Sequence, residues 1–143
     1  MSQEIPSIES LTLATDNNIA SFFRTLAIWP KISISQTDEL LSISSDIPFP
    51  LFNSIMNSHS CENNLQSVIR KVTDKADINS VPLMWWVSPT SKPTNIESQL
   101  LNNDFEKMEV TPAMHLDLSV SLAQKNIDGL EIKEVTCAET LRH

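Results

Sequence analysis

The stretch Val81–Val87, V-P-L-M-W-W-V, offers no polar position to water. Leu83, Trp85 and Val87 would face one way and Met84 and Trp86 the other, which predicts a strand covered on both faces. Ser88-Pro89 stops it, because proline lacks a ladder donor and restricts the residue before it. The T-N-I-E of Thr94–Glu97 then reads as a capping box opening a helix over about 95–103, with Ile96, Leu100 and Leu101 inward.

On either side of this centre the period changes. From Asp16, the residues Ile19, Phe22, Phe23 and Leu26 fall on one helical stripe, which Trp29-Pro30 ends. The residues before it show no clear period and read as an arm. Ile32 and Ile34, then Leu41 and Ile43, alternate with serines around the polar turn Gln36–Glu39, predicting an antiparallel hairpin with one wet face. Pro48 and Pro50 keep the approach extended to a strand at about 51–57, in which Asn53 is the odd polar residue. After the polar turn Asn57–Ser60, Leu65, Val68, Ile69 and Val72 form the buried stripe of a helix from about Cys61 to Lys75. Arg70, Lys71 and Lys75 sit towards its C-terminal end, where the dipole favours cations. Later, Met108, Val110, Met114, Leu116, Leu118, Val120 and Leu122 all fall on even positions. That period of two predicts a long strand region over 106–122. Asn126-Ile127-Asp128-Gly129 is a turn, and Leu130–Val135 a last short strand.

The order predicts an α/β fold: a mixed (α+β) sheet with helices packed on both faces. The expected organisation is an N-terminal arm at 1–15, one domain at 16–136 and a C-terminal tail at 137–143. A chain of 143 residues suffices for one such core.

Composition narrows the function. A formal charge of −8, with no basic cluster beyond Arg70-Lys71, disfavours nucleic acid or an anionic membrane as partner. No apolar run approaches the roughly 20 residues that span a bilayer, and no secretory signal is expected at the acidic start. Cys61 and Cys137 are far apart and unpaired in spacing, so neither a zinc site nor a disulfide framework is expected, and the setting is cytoplasmic. The chain has a single glycine, Gly129, where ordinary usage gives roughly ten. No Walker loop or Rossmann fingerprint can be written from it.

Candidate chemistry is sparse. His115 and Asp117 would share the wet face of one strand, as a histidine general base beside a carboxylate would. The commoner reading is two solvated residues. His59 is a lone histidine in a polar turn. Cys61 opens a helix, but nothing nearby completes a Cys-His-acid set. No catalytic residue and no metal ligand set is assigned.

I-P-F-P-L-F-N-S-I-M at 47–56, P-L-M-W-W-V-S-P-T-S-K-P at 82–93 and T-P-A-M-H-L-D-L at 111–118 resemble the N-terminal half of two-part GNAT-superfamily N-acetyltransferase proteins. There the N-terminal part is similar to a degenerate acetyltransferase fold and the C-terminal part to a complete one. The resemblance covers roughly residues 16–136, and the proline-bounded Trp-Trp strand is its most specific element. It implies a GNAT-like sheet in which the strand at 51–57 leads through an acetyl-CoA pyrophosphate loop into helix 61–75. Strand 82–87, helix 95–103 and closing strands at 106–122 and 130–135 follow.

Under that mapping Asn57, Ser58, His59 and Ser60 are the cofactor-binding candidates, with acetyl-CoA as the implied cofactor. Asn53, Trp85 and Trp86 are substrate-binding candidates, set against plainer readings: a loop-securing asparagine and a packed core pair. The departures point to degeneration. Where the superfamily carries Gln/Arg-x-x-Gly-x-Gly/Ala, this chain reads N-S-H-S-C-E-N-N at 57–64, with neither the basic residue nor either glycine. Glu62 would repel an anion from the amides that open the helix. Ser88 stands where a glycine is expected, and His143 ends the sequence where the complete domain would begin. The implied role is a structural or substrate-side partner of a catalytic GNAT domain. Two alternatives stand beside it: an active acetyl-CoA-dependent N-acetyltransferase with an atypical loop at 57–64, and a self-associating module holding a small apolar ligand.

Overall fold

The computed structural model describes residues 6–116, 129–131 and 134–137. The chain divides into two units, Met1–Ala113 and Met114–His143. Among the described residues, every regular element lies in the first. In chain order these are α1 (Ile8–Thr25), β1 (Ile32–Gln36), β2 (Leu41–Ser45), β3 (Ser54–Met56), α2 (Glu62–Asn79), β4 (Met84–Trp85) and α3 (Ile96–Leu101).

The four strands form one open sheet in the order β1-β2-β3-β4. The first two pairings are antiparallel, and the Gln36–Glu39 turn sets β1 on β2 in the register Ile34 opposite Ile43. β3 and β4 are parallel, with α2 as the crossover such a pair requires. Each face of the sheet is covered. On one, Ala20 and Phe23 of α1 pack on Ile32, Leu41, Ile43 and Met56, with Trp86 against them. On the other, Leu65 and Ile69 of α2 pack with Ile96 and Leu100 of α3, joined by Trp85 and Phe105. The two tryptophans therefore diverge to opposite faces, as their strand alternation requires.

Several boundaries differ from the sequence pattern, each for a local reason. α1 begins eight residues before Asp16, at Ile8, running through the expected arm and the 15/16 boundary. Ser7 caps it, its hydroxyl accepting from Ser10 N at 3.1 Å. The apolar period is lost there because the half-buried positions are Leu11, Thr12, Thr15 and Asp16. The threonine hydroxyls satisfy themselves on the carbonyls of Ile8 and Leu11. Phe22, expected on the stripe, is 59% exposed.

The strand expected at 51–57 shrinks to Ser54–Met56, because Pro50 opens a single 3-10 turn over Pro50–Phe52. α2 continues past Lys75 to Asn79 and ends at Ser80 in the left-handed region (φ 52°). Its last turn carries no basic residue, and Lys75 instead donates to Ser44 Oγ at 3.0 Å. The capping box at Thr94 does not form. Thr94 and Asn95 are consumed in a turn closed by Ile96 N on Pro93 O, and Glu97 turns away to Lys107.

The long strand is the largest correction. Residues 106–116 form no strand, and Met108, Val110, Met114 and Leu116 are all exposed. Alternation specifies which side of a strand would be buried, but it supplies no partner. Residues 117–128 and 132–133, which carry the rest of that pattern and part of the final strand, lie outside the described residues. In the second unit, Gly129 adopts φ 82°, as a turn glycine does, and the remaining described residues are irregular.

Ile55 is central to β3, 1% exposed, and lines a narrow gap with Val72 and Ala76 of α2. Ile55→Ala is expected to cost about 2–5 kcal/mol. Urea unfolding should show this as a lower midpoint with an unchanged slope.

Candidate functional site

In open α/β sheets, ligands lodge in the crevice outside the carboxyl ends of parallel strands. Here that position is the end of β3 and β4, where Asn57–Cys61 enters α2 and Val87–Asn95 enters α3. All four cofactor-binding candidates lie there.

The loop is tied down by its own chain. Asn57 takes φ 51°, a conformation asparagine tolerates better than most residues. Ser58 is buried, its hydroxyl accepting the Trp85 indole N–H at 2.7 Å and its carbonyl accepting Lys92 N–H at 2.7 Å. His59 pairs in parallel with Lys92 and donates its backbone N–H to Glu39 O at 2.7 Å, leaving its side chain exposed. Ser60 is buried, and its hydroxyl finds no partner among the described residues.

The parallel pairing that begins with Met84 N–H on Asn53 O and Trp86 N–H on Ile55 O (both 2.9 Å) thus resumes beyond β4, at 58–59 against 92. The Trp85 indole bridges the interval. What would be a crevice is closed by the protein itself. The positive end of α2 is likewise supplied with a negative charge from within. Glu62 lies in its first turn, its Oε1 accepting Asn95 Nδ2 at 2.9 Å, while the Asn64 and Leu65 amides bond to Cys61 O.

Asn53 is 2% exposed and bonded throughout. Its Oδ1 accepts Ser45 N–H at 2.9 Å, and its Nδ2 donates to Ile47 O and Phe49 O at 2.8 and 3.2 Å. It holds the proline-rich link between β2 and β3. Trp85 meets Phe105 edge-on at 6.1 Å, and Trp86 lies 6.4 Å from Phe23. Both tryptophans are half-buried within the two cores.

Sequence reasoning missed one cluster. Ser88 Oγ and Thr90 Oγ1 both donate to Asp16 Oδ2, the first at 2.8 Å, and Ser88 N–H donates to Ser91 Oγ at 3.0 Å. This clamp joins α1 to the turn after β4. The hydroxyl-rich S-P-T-S was legible as a turn, but its carboxylate partner lies 72 residues away and had no local signal.

Beside the loop is an open, polar depression of about 260 Å³, to which Asn57 and His59 contribute together with Arg24, Gln36 and Asp38. Arg24 donates twice to Gln36 Oε1, at 3.1 and 3.0 Å. The hydroxyl in its lining, Thr37 Oγ1, is engaged with the backbone of Glu39 and Leu40. His115 is exposed in the second unit, and Asp117, its proposed companion, lies outside the described residues. No group of three or more histidine, cysteine or acidic residues among the described residues could hold a metal ion. No helix among them is long and apolar enough to cross a membrane.

No family model, curated protein or solved structure matches this chain.

Trp85→Phe keeps most of the packing but leaves the buried Ser58 hydroxyl without its donor, at an expected cost of about 1–3 kcal/mol. Asn53→Ala removes three hydrogen bonds at once, orphaning Ser45 N–H while Ile47 O and Phe49 O keep the amides of Phe49 and Phe52, and should cost more than Trp85→Phe. Paired denaturation curves for the two variants test that order.

Proposed function

We propose that this chain is a degenerate domain of GNAT type that binds no acetyl-CoA and serves a catalytic N-acetyltransferase domain as a structural or substrate-side partner, in a cytoplasmic setting. The observation that carries the reading is the closure at the carboxyl ends of β3 and β4. A pyrophosphate site needs several free backbone amides converging on one point, with no negative charge already there. In this loop the His59 amide is bonded to Glu39 O, the Ser58 hydroxyl and carbonyl are both in use, and Glu62 occupies the first turn of the helix.

The arrangement of elements supports the ancestry. β1, β2 and β3 are antiparallel, and β3 also opens a strand-loop-helix-strand unit in which it runs parallel to β4, followed by a further helix. The resemblance drawn from the sequence implies this succession from β3 to α3; of the closing strands it also implies, residues 106–116 form none. An active enzyme working through the 57–64 loop would have to displace the Trp85 indole and the Lys92 backbone together, which makes it the weaker reading. A module for a small apolar ligand is weaker too, because the apolar gap between the sheet and α2 holds only about 30 Å³ and the depression beside the loop is polar.

Titration of acetyl-CoA into the purified chain by calorimetry, with thermal shift alongside, is the direct test. The expected result is no heat of binding and no stabilisation at millimolar cofactor. Micromolar binding would overturn the proposal and return the loop to the role of an acetyl-CoA site.

A further inference from the structure

An open sheet has two edges, and this chain treats them differently. β4 is two residues long and bounded by Pro82 and Pro89, both common ways of blunting an edge. β1 has none of these protections. Its five residues, I-S-I-S-Q, contain no charge and no proline, and its unbroken register with β2 contains no bulge.

The direction of the unpaired backbone groups follows from the bonds at its ends. Thr37 N–H donates to Leu40 O and Ile32 N–H to Trp29 O, while Ser45 N–H points across β2 to Asn53. Opposed residues in an antiparallel ladder alternate between bonded pairs and pairs whose groups face outward. This phasing assigns the ladder bonds to Ser33 and Ser35, and leaves the N–H and C=O of Ile34 and Gln36, with the carbonyl of Ile32, pointing outward with no partner among the described residues.

We propose that the chain forms a two-fold homodimer in which β1 pairs antiparallel with β1 of a second copy, fusing two four-strand sheets into one. A second copy fits because the strand is close to a palindrome about Ile34. With the two-fold axis at Ile34, that residue exchanges both bonds with its counterpart, and Gln36 N–H of each copy reaches Ile32 O of the other. Isoleucines then continue the face under α1, and Ser33 stands opposite Ser35 on the other face. The ends are complementary in charge as well. Lys31 precedes the strand and Asp38 follows it, so antiparallel pairing sets the basic end of each strand beside the acidic end of its mate. Lys31 is held only by an exposed bridge to Asp46 at 2.9 Å, which leaves it available. The formal charge of −8 on each copy opposes association, so dimerisation should strengthen with added salt.

Sedimentation equilibrium from micromolar to millimolar protein tests the proposal, with two paired variants at the exposed serines. S33K/S35K places lysine opposite lysine twice and should weaken the dimer by roughly tenfold or more. S33E/S35K places glutamate opposite lysine in the same register and should preserve or tighten it. Circular dichroism checks that both remain folded. The amides of Ile34 and Gln36 should also gain hydrogen-exchange protection as concentration rises. A monomer at millimolar concentration, a dimer indifferent to S33K/S35K, or equal loss in both variants would each overturn the proposal.

Discussion

The parallel pairing of β3 with β4 is the contact on which the rest of the fold depends. It is short, Ser54 and Ile55 against Met84 and Trp85, yet it obliges the chain to cross over through α2 and so covers one face of the sheet. With α1 on the other face, both strands have cover on each face, although β4 lies at the sheet edge, and each tryptophan has a separate core to enter. Trp85 then does two things with one side chain. Its ring packs beside Phe105, and its N–H crosses to Ser58, fixing the loop that follows β3. Folding and closure of the candidate site thus share the same residue. The loop could not be opened for a ligand without disturbing the packing that holds the two parallel strands together.

What was legible in the sequence was whatever depended on a period and on residues close in the chain. The serine-isoleucine hairpin, the α2 stripe and the opposed faces of Trp85 and Trp86 were visible in this way, although the strand expected over 82–87 shrinks to Met84–Trp85 and Val87 is exposed. Less visible were boundaries set by polar chemistry. α1 reaches back to Ile8 on threonines that bond their own helix, a device that leaves no hydrophobic trace. The Thr94 capping motif is real as a pattern, but the preceding turn uses its residues and Lys107 takes its glutamate. At the candidate site, the polar character of Asn57–Ser60 was plain. Its engagement with Glu39, Trp85 and Lys92 was not, because each contact joins segments distant in sequence. Among residues 106–116 the alternating pattern failed outright, since a strand pattern without an accepting edge specifies nothing.

The scarcity of glycine connects these features. A chain with only Gly129 must still make left-handed turns, and it does so at Asn57, Ser80 and Asp104. Each such residue carries a side chain where glycine would leave bare backbone, with an intrinsic strain of about 1 kcal/mol. That cost is tolerable when a neighbour gains hydrogen bonds, as Ser58 does beside Asn57. The same substitution of side chain for open backbone removes the close approach that a phosphate requires. Scarce glycine and hydroxyls that bond across the 57–61 loop therefore act in the same direction, since both leave the backbone there bonded to the chain itself.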